Sequence, residues 1–155
     1  MTRINCLPAE HLFDEHLAAH LKEGLRPLNK LLKGMTNIKN APKHWKLGTG
    51  HELFHKAHLK YTVDKWLEYQ KEWRDRGYTS YDWSPSPLPE ELKPTYWHDY
   101  KPSRGEMRSN LARIVCRWKD ARDNGKKGYK YNGVKINTLT LLREYVNMVK
   151  LENGL

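Results

Sequence analysis

The apolar residues of this chain recur at helical spacing, and that periodicity constrains its fold more than any other feature. After Pro8, the residues Phe13, Leu17 and Leu21 lie four apart and predict a helix with one buried stripe that ends near Gly24. Further helices are predicted at 27–33, 51–75, 104–123 and 138–152. The sequence shows no internal repeat and no convincing pair of strands. We therefore predict an all-α fold, a compact single-domain helical bundle over residues 1–155 with long ordered loops.

Two of these loops combine aromatic residues with prolines or lysines. The stretch 78–104 contains Ser84-Pro85-Ser86-Pro87 and is too rich in Tyr and Trp for a flexible linker, so we predict that it wraps the helices in an ordered conformation. Basic and aromatic residues are interleaved around Trp45 and again at 124–137, as in loops that contact phosphates. A solvated loop with one anchoring tryptophan is the alternative for the Trp45 segment.

The charge balance indicates the class of partner. The chain has 28 Lys and Arg residues against 18 Asp and Glu, a formal net charge of +10. A basic surface gains affinity for phosphates by releasing counterions, so this balance favours a nucleic-acid partner. A basic protein that is merely soluble is the alternative.

The cysteines and the hydropathy pattern indicate a cytoplasmic, intracellular protein. Cys6 and Cys116 form neither a disulfide framework nor a CxxC site, so we expect reduced, half-buried thiols. No apolar stretch follows Met1, and no apolar run is long enough to span a bilayer. We therefore expect neither secretion nor a membrane partner.

The start of the chain carries an unusual candidate nucleophile. Removal of Met1 would leave a free α-amine on Thr2, with a reference pKa of about 7.7–8.0 against about 10.4 for lysine. The neutral fraction of such an amine can attack an electrophilic carbon and form an imine. Glu23 lies in the last turn of the first predicted helix, at the unfavourable end of the helix dipole, which is mildly suggestive of function. A carboxylate beside the amine can stabilise developing positive charge and move protons.

Several short motifs follow one another in order from the first residue to Tyr131. They are Met1-Thr2-Arg3-Ile4-Asn5, His16, Glu23, Arg26, Gly48-Thr49-Gly50-His51, Arg76-Gly77-Tyr78, Asp99-Tyr100-Lys101-Pro102, Arg117 and Tyr129-Lys130-Tyr131. No one of them is specific, but their shared order resembles the pyrimidine dimer DNA glycosylase/AP lyase family of the phage endonuclease V type. That family excises ultraviolet photoproducts, and the resemblance is compatible with a viral origin and action inside a host cell.

The resemblance implies a reaction and a set of site residues. The Thr2 amine would attack C1′ of a damaged nucleotide displaced from the stack. Glu23 would stabilise the cationic sugar, and β-elimination from the imine would cut the strand without a metal or cofactor. The implied DNA-contacting or cleft-lining residues are Arg3, His16, Lys22, Arg26, His51, Arg117, Tyr129, Lys130 and Tyr131. For His16, a supporting or purely structural role is the alternative. The implied partner is double-stranded DNA containing damaged pyrimidines, and we expect a monomer.

Three features depart from the family pattern and bear on the substrate more than on the reaction. Lys22 stands where arginine is expected, which keeps the charge but loses the bidentate fork. Gly128 stands where the family tends to have an aromatic residue, and the helix at 138–152 extends beyond the family pattern. The Trp-rich stretch 78–104 can also reshape the lesion pocket. A glycosylase for another damaged or modified base therefore stays open, as does a DNA-binding protein without catalysis.

One motif points to a different chemistry. His51-Glu52-Leu53-Phe54-His55 is a literal HExxH sequence, which on a helix places two imidazoles on one face as in zinc proteases. Such a site also needs a third protein ligand. His58 follows His55 too closely for the extended pattern, and Glu68 and Glu72 lie on the same predicted helix. The zinc metalloprotease is therefore the weaker alternative.

Overall fold

The computed structural model describes residues 4–126 and 128–155. Its α-helices are α1 Asp14–Glu23, α2 Arg26–Leu32, α3 His51–Ala57, α4 Leu59–Asp75, α5 Lys93–Tyr96, α6 Arg104–Asp123 and α7 Leu139–Asn153. Short 3-10 helices at Ala9–His11 and Glu90–Leu92 precede α1 and α5. Strand β1 Lys130–Tyr131 pairs antiparallel with β2 Val134–Lys135. The predicted all-α fold class is confirmed.

The larger hydrophobic core forms around α1 and α4. Phe13, Leu17 and Leu21 are at most 1% exposed, which confirms the predicted stripe. The indole of Trp66, which is fully buried on α4, donates a hydrogen bond to the carbonyl of Leu21 at 2.9 Å. The last two long helices contribute to the same core through Leu111, Ile114, Trp118, Leu142, Tyr145 and Val149. The C-terminal helix that extends beyond the family pattern is therefore packed into the core.

The helix predicted from Pro8 onward is interrupted before α1. A 3-10 turn at Ala9–His11 gives way to extended backbone at Leu12 and Phe13. The carbonyl groups of the interruption accept hydrogen bonds from the guanidinium of Arg76, to Leu12 at 2.8 Å, Ala9 at 3.3 Å and Glu10 at 3.2 Å. Because Arg76 is distant in sequence, the local pattern could not predict this break.

The single helix predicted at 51–75 is two helices, α3 and α4. His58 separates them with a backbone of φ −133° and ψ 57°. The hydroxyl of Thr62 lies 3.1 Å from the carbonyl of His55 and 2.9 Å from that of His58, and the His58 ring bonds to the Phe54 carbonyl at 2.8 Å. Side chains thus satisfy carbonyl groups at the junction.

The sequence interpretation of 124–137 also missed a strand pair. Asn132 and Gly133 join β1 to β2 with φ values of 48° and 81°. Positive φ at both positions is typical of the type I′ turn, for which Asn-Gly is the favoured dipeptide. The signal was therefore present in the sequence.

Other predictions about helix ends and loops agree with the structure. Ser103 and Glu106 form the predicted capping box at the start of α6, with both reciprocal hydrogen bonds at 3.1 Å. The stretch 78–104 is ordered against α4, where the Gln70 amide donates to the carbonyls of Tyr81 and Trp83 at 2.8 and 2.7 Å.

The two thiols differ from the prediction that both are half-buried. Cys6 is buried and Cys116 is exposed, and both are free. Within 4–126 and 128–155, no helix combines the length and the apolar character needed to cross a membrane.

Asp14 connects three parts of the chain. Its carboxylate accepts hydrogen bonds from Arg76 at 2.7 Å, Tyr78 at 2.6 Å, and the backbone N–H groups of Asn132 at 3.0 Å and Gly133 at 2.9 Å. Burial raises the pKa of Asp14, but the hydrogen bonds from Tyr78, Arg76 and Gly133 outweigh it and hold the pKa below its ordinary value. The Arg76-Gly77-Tyr78 motif therefore has a structural role here.

We expect Asp14→Asn to lower the free energy of unfolding by about 2–3 kcal/mol, because the buried Arg76 guanidinium loses one of its two carboxylate partners and keeps Glu72, at 2.9 Å. The depressed pKa means that the carboxylate stabilises the fold above its unfolded pKa of about 3.9 and that this stability is lost as the pH falls through the folded pKa. Urea titration at pH 7 measures the loss, and Asp64→Asn, at an exposed i,i+4 pair, is the control. A loss no larger than that of the control would contradict this role.

Candidate active site

A cavity of about 240 Å³ lies between the start of the described chain, α1 and α6. From α1 it is lined by His16, Ala19 and Glu23, whose spacing of three and four residues places them on one helical face. From α6 it is lined at the same spacing by Asn110, Arg113, Ile114 and Arg117, and the remaining lining residues are Ile4, Asn5 and Leu47. Two amphipathic helices thus present polar side chains to one space.

Glu23 supplies the carboxylate of this cavity. No other acidic residue of the described chain lines it, whereas two arginines do. Its side chain is 28% exposed, and one oxygen lies 3.5 Å from the guanidinium of Arg26. Glu23 is therefore open to solvent and to a ligand.

His16 is a neutral member of the same wall. Its ring packs against Tyr129 at a centroid distance of 4.7 Å and against Phe13 at 5.6 Å. Burial lowers the pKa of His16 to about 4, and its Nδ1 has no hydrogen-bond partner within the described residues. His16 thus brings an uncharged ring to the cavity wall and not the cation that a phosphate contact would use.

The N-terminal segment, residues 4–7, begins at this cavity, which Ile4 and Asn5 line, and is held by side chains. The N–H of Ile4 donates to His51 Nε2 at 2.8 Å, and the N–H of Asn5 donates to His20 Nδ1 at 3.2 Å. Ile4 is 1% exposed, and both histidine rings are buried. The His20 ring therefore points inward, where it holds the segment.

The second half of the N-terminal segment is fixed from α6 and α4. Asn110 Oδ1 accepts from the N–H groups of Cys6 at 2.8 Å and Leu7 at 3.1 Å, while its Nδ2 donates to the Asn5 side chain at 2.9 Å. The Tyr69 hydroxyl donates to the Leu7 carbonyl at 2.5 Å. Chain ends usually fray. Here, side chains from α1, α3, α4 and α6 hold residues 4–7.

The prediction that His51 contacts DNA requires correction. His51 is 2% exposed, and its Nδ1 lies 2.6 Å from the carbonyl of Lys46 while its Nε2 binds Ile4. Both ring nitrogens are thus occupied by backbone groups, which leaves none for a phosphate. The string that carries His51 in the family resemblance has a structural role in this chain.

The same contacts count against a zinc site at the HExxH sequence. A zinc ligand would need a lone pair that His51 already uses. His55 is buried and bonded through Nδ1 to Thr62 at 2.9 Å, and Glu52 pairs with Lys30 at 2.5 Å.

A separate group, Glu10, His11 and Glu152, places three possible metal-ligand atoms within 4.8 Å of one another. The Asn153 amide donates to His11 Nδ1 at 2.9 Å and to the Val149 carbonyl at 2.8 Å. The proton of His11 therefore lies on Nε2, from which it donates to Glu152 at 2.5 Å. A metal would need that nitrogen unprotonated. These contacts therefore favour a structural role, in which His11 connects α7 to the 3-10 helix at Ala9–His11.

The other predicted site residues are placed in three groups. Thr2 and Arg3 lie outside the described residues. Lys22 and Arg26 are exposed next to Glu23, and Arg117 lines the cavity. Tyr129 touches the cavity wall through His16 and Phe13. The structure does not bring Tyr131 to the cavity wall, since its hydroxyl donates to the Glu10 carbonyl at 2.6 Å, and Lys130 is an exposed residue of β1.

Sequence reasoning missed two residues of the cavity, Asn110 and Arg113. Both share the α6 face of Arg117, so the spacing of 110, 113 and 117 was the available signal. Neither Arg113 nor Arg117 forms an ion pair within the described part of the chain, and each is half-buried.

We expect Arg113→Ala to weaken duplex DNA binding equally for all sequences. The dependence of the logarithm of the binding constant on the logarithm of salt concentration should become shallower by about 1, as for the loss of one phosphate contact. Fluorescence anisotropy at several salt concentrations measures this slope. The control is Lys71→Ala, which removes a lysine that pairs with Asp75 away from the cavity. An unchanged slope for Arg113→Ala would rule out the contact.

Comparison with models of known protein families found no match for this chain, and comparison with curated proteins found none either.

Proposed function

We propose that this chain is a bifunctional DNA glycosylase and AP lyase that excises damaged pyrimidines, with cyclobutane dimers as the first candidate substrate. The observation that carries the proposal is the fixed N-terminal segment leading to a cavity that contains Glu23. An N-terminal nucleophile requires an ordered chain start beside an electrostatic partner. The motif order described above supplies the identity of the reaction.

The position of Ile4 supports Thr2 as the nucleophile. Ile4 lines the cavity, and its N–H is held by His51. The two residues between the Ile4 nitrogen and the Thr2 nitrogen span at most about 7 Å. A trimmed chain start is therefore within reach of a sugar bound beside Glu23.

The charge distribution supports a polyanionic ligand on the cavity side. Basic residues of α4 pair with acids on the same helix, Lys60 with Asp64, Lys65 with Glu68 and Lys71 with Asp75. On α6, by contrast, Arg113 and Arg117 face the cavity. Phosphate oxygens are the ligands for which such arginines are suited.

In the proposed reaction, the neutral Thr2 amine attacks C1′ and the electrons of the glycosidic bond leave with the base. The Glu23 carboxylate stabilises the positive charge on the sugar and transfers the proton lost by the attacking amine to O4′, so that the C1′–O4′ bond breaks and the imine forms. The imine acidifies the C2′ hydrogen. Loss of that proton expels the 3′ phosphate and cuts the strand. This route uses residues of the chain alone.

Two alternatives follow from the same surface. The His16 side of the cavity, where Tyr129 packs against His16, and the altered positions Lys22 and Gly128 are compatible with a different damaged or modified base. A DNA-binding protein without catalysis would use the same arginines but has no need to hold residues 4–7 beside the cavity. We further expect the protein to act as a monomer in the cytoplasm.

Strand incision in EDTA tests the proposal. Three duplexes of one sequence are compared, carrying a cyclobutane dimer, an abasic site or no damage. We expect cleavage of the first two and none of the third. Cleavage of the abasic duplex alone would assign the chemistry to another damaged base. Binding without cleavage of any duplex, by protein with a confirmed Thr2 terminus, would leave the DNA-binding alternative.

A further inference from the structure

The groups that hold the N-terminal segment differ in their response to pH. Asn110 offers an amide oxygen, which accepts hydrogen bonds at any physiological pH. His51 and His20 offer ring nitrogens, which accept only while unprotonated. His51 holds Ile4, the first described residue, and is therefore the acceptor nearest to the chain start.

The second hydrogen bond of His51 fixes the position of its proton. Nδ1 lies 2.6 Å from the Lys46 carbonyl, which can only accept, so Nδ1 carries the proton and Nε2 keeps its lone pair. That lone pair accepts the Ile4 N–H at 2.8 Å. A second proton on the ring would place two donors face to face, and the hydrogen bond would be lost.

The surroundings of His51 favour its neutral form. Its ring lies 4.8 Å from that of His55 and 5.7 Å from that of Trp45, and His20 on α1 also interacts with it electrostatically. Burial lowers the pKa of His51, against the opposing effects of the Lys46 carbonyl and the Glu52 carboxylate. The ring is thus neutral at pH 7 and gains a second proton only in more acidic solution.

We propose that His51 is the positioning residue for the nucleophilic chain start and that only its neutral Nδ1–H tautomer supports the reaction. This inference rests on the function proposed above. A displacement of the reacting amine by about 1 Å can slow a reaction about 100-fold. Protonation of His51 would release Ile4 and with it the two residues that carry the amine.

Two proton losses are then required for activity. The Thr2 amine must be neutral, with a reference pKa of about 7.7–8.0, and His51 must be neutral, with a pKa lowered below its ordinary 6.5. As the pH falls below 7, the logarithm of the rate should first decrease by one for each pH unit, a slope of one. Below the pKa of His51 the slope should become two.

A matched pair of variants separates positioning from packing. In His51→Gln, the amide oxygen can reach the place of Nε2 and accept from Ile4, but it does not titrate. In His51→Asn, the shorter amide replaces Nδ1 only and leaves Ile4 unpaired. The measurement is the single-turnover rate of imine formation on an abasic duplex between pH 5 and pH 8, trapped with borohydride. Affinity for a tetrahydrofuran abasic analogue is measured in parallel.

We expect His51→Asn to react about 100-fold more slowly than the unmodified protein, with its affinity for the analogue within about twofold. His51→Gln should retain the rate at pH 7 within about tenfold and keep a slope of one down to pH 5. Equal rates for His51→Asn and the unmodified protein would overturn the inference.

Amide hydrogen exchange gives a readout that does not depend on activity. In His51→Asn, the Ile4 amide should lose protection while the amides of Cys6 and Leu7, held by Asn110, remain protected. Retained protection at Ile4 in His51→Asn would contradict the inference, whether or not the unmodified protein forms an imine. Absence of an imine in the unmodified protein would separately refute the proposed function. If His51→Asn is unprotected throughout, His51→Gln decides, since a normal rate in that variant with an unprotected Ile4 amide would overturn the inference.

Discussion

Replacement of Glu23 by glutamine should abolish base excision, with a decrease of about 10³-fold or more in the single-turnover rate. Glutamine keeps the size and hydrogen-bonding capacity of the side chain but removes the negative charge that would face the cationic sugar. Among the described residues that line the cavity, Glu23 is the only acidic one. No neighbouring carboxylate can therefore replace it there. The rate is measured on a duplex with a single cyclobutane dimer.

DNA affinity distinguishes a catalytic role of Glu23 from a structural one. We expect Glu23→Gln to bind the same duplex within about threefold of the unmodified protein, or slightly more tightly, since it removes a negative charge near phosphates. Glu68→Gln is the matched control, because Glu68 pairs with Lys65 on α4 and lines a different cavity. A loss of binding as large as the loss of rate would contradict the catalytic role.

Retention of Met1 should lower the rate about as much as Glu23→Gln does. The large side chain in Thr2→Leu should prevent removal of Met1, and the free amine then moves by one residue, about 3.5 Å along an extended chain. Such a displacement exceeds what an in-line attack tolerates, so we expect a loss of about 10³-fold or more in imine formation.

The matched variant Thr2→Ser keeps a small second residue and a free amine at the same place. We expect it to react within about tenfold of the unmodified protein. Intact-protein mass spectrometry establishes the first residue of each preparation before the rates are compared. A Thr2→Leu protein that retains Met1 and reacts normally would show that the amine of residue 2 is not the nucleophile.

The sequence predicts those parts of the fold that depend on local periodicity and capping. The buried stripe of α1, the capping box of Ser103 and Glu106, and the C-terminal helix α7 all follow from residues close in the chain. The interruption before α1 does not, because the distant Arg76 side chain stabilises it. The Asn132-Gly133 turn was predictable. Its strands have only two residues each, which is too short to show the alternation of apolar and polar residues that indicates a strand.

The candidate site likewise has a part that the sequence predicts and a part that it does not. Its position on α1 and α6 follows from the helical spacing of His16 and Glu23 and of Arg113 and Arg117, once the helices are paired. The holding of the N-terminal segment could not be predicted, because each acceptor lies on a different element and meets the segment only in the folded chain. A histidine such as His51 carries no local sign that its ring will accept a backbone N–H group.

Borohydride trapping in EDTA tests the central claim most directly. The protein, with Thr2 confirmed as its first residue, is incubated with a duplex that contains an abasic site and with one that contains a cyclobutane dimer. The account predicts a covalent protein–DNA adduct with both duplexes, and peptide mapping should locate it at the Thr2 amine. Absence of an adduct with either duplex, or an adduct located on a lysine side chain, would contradict it.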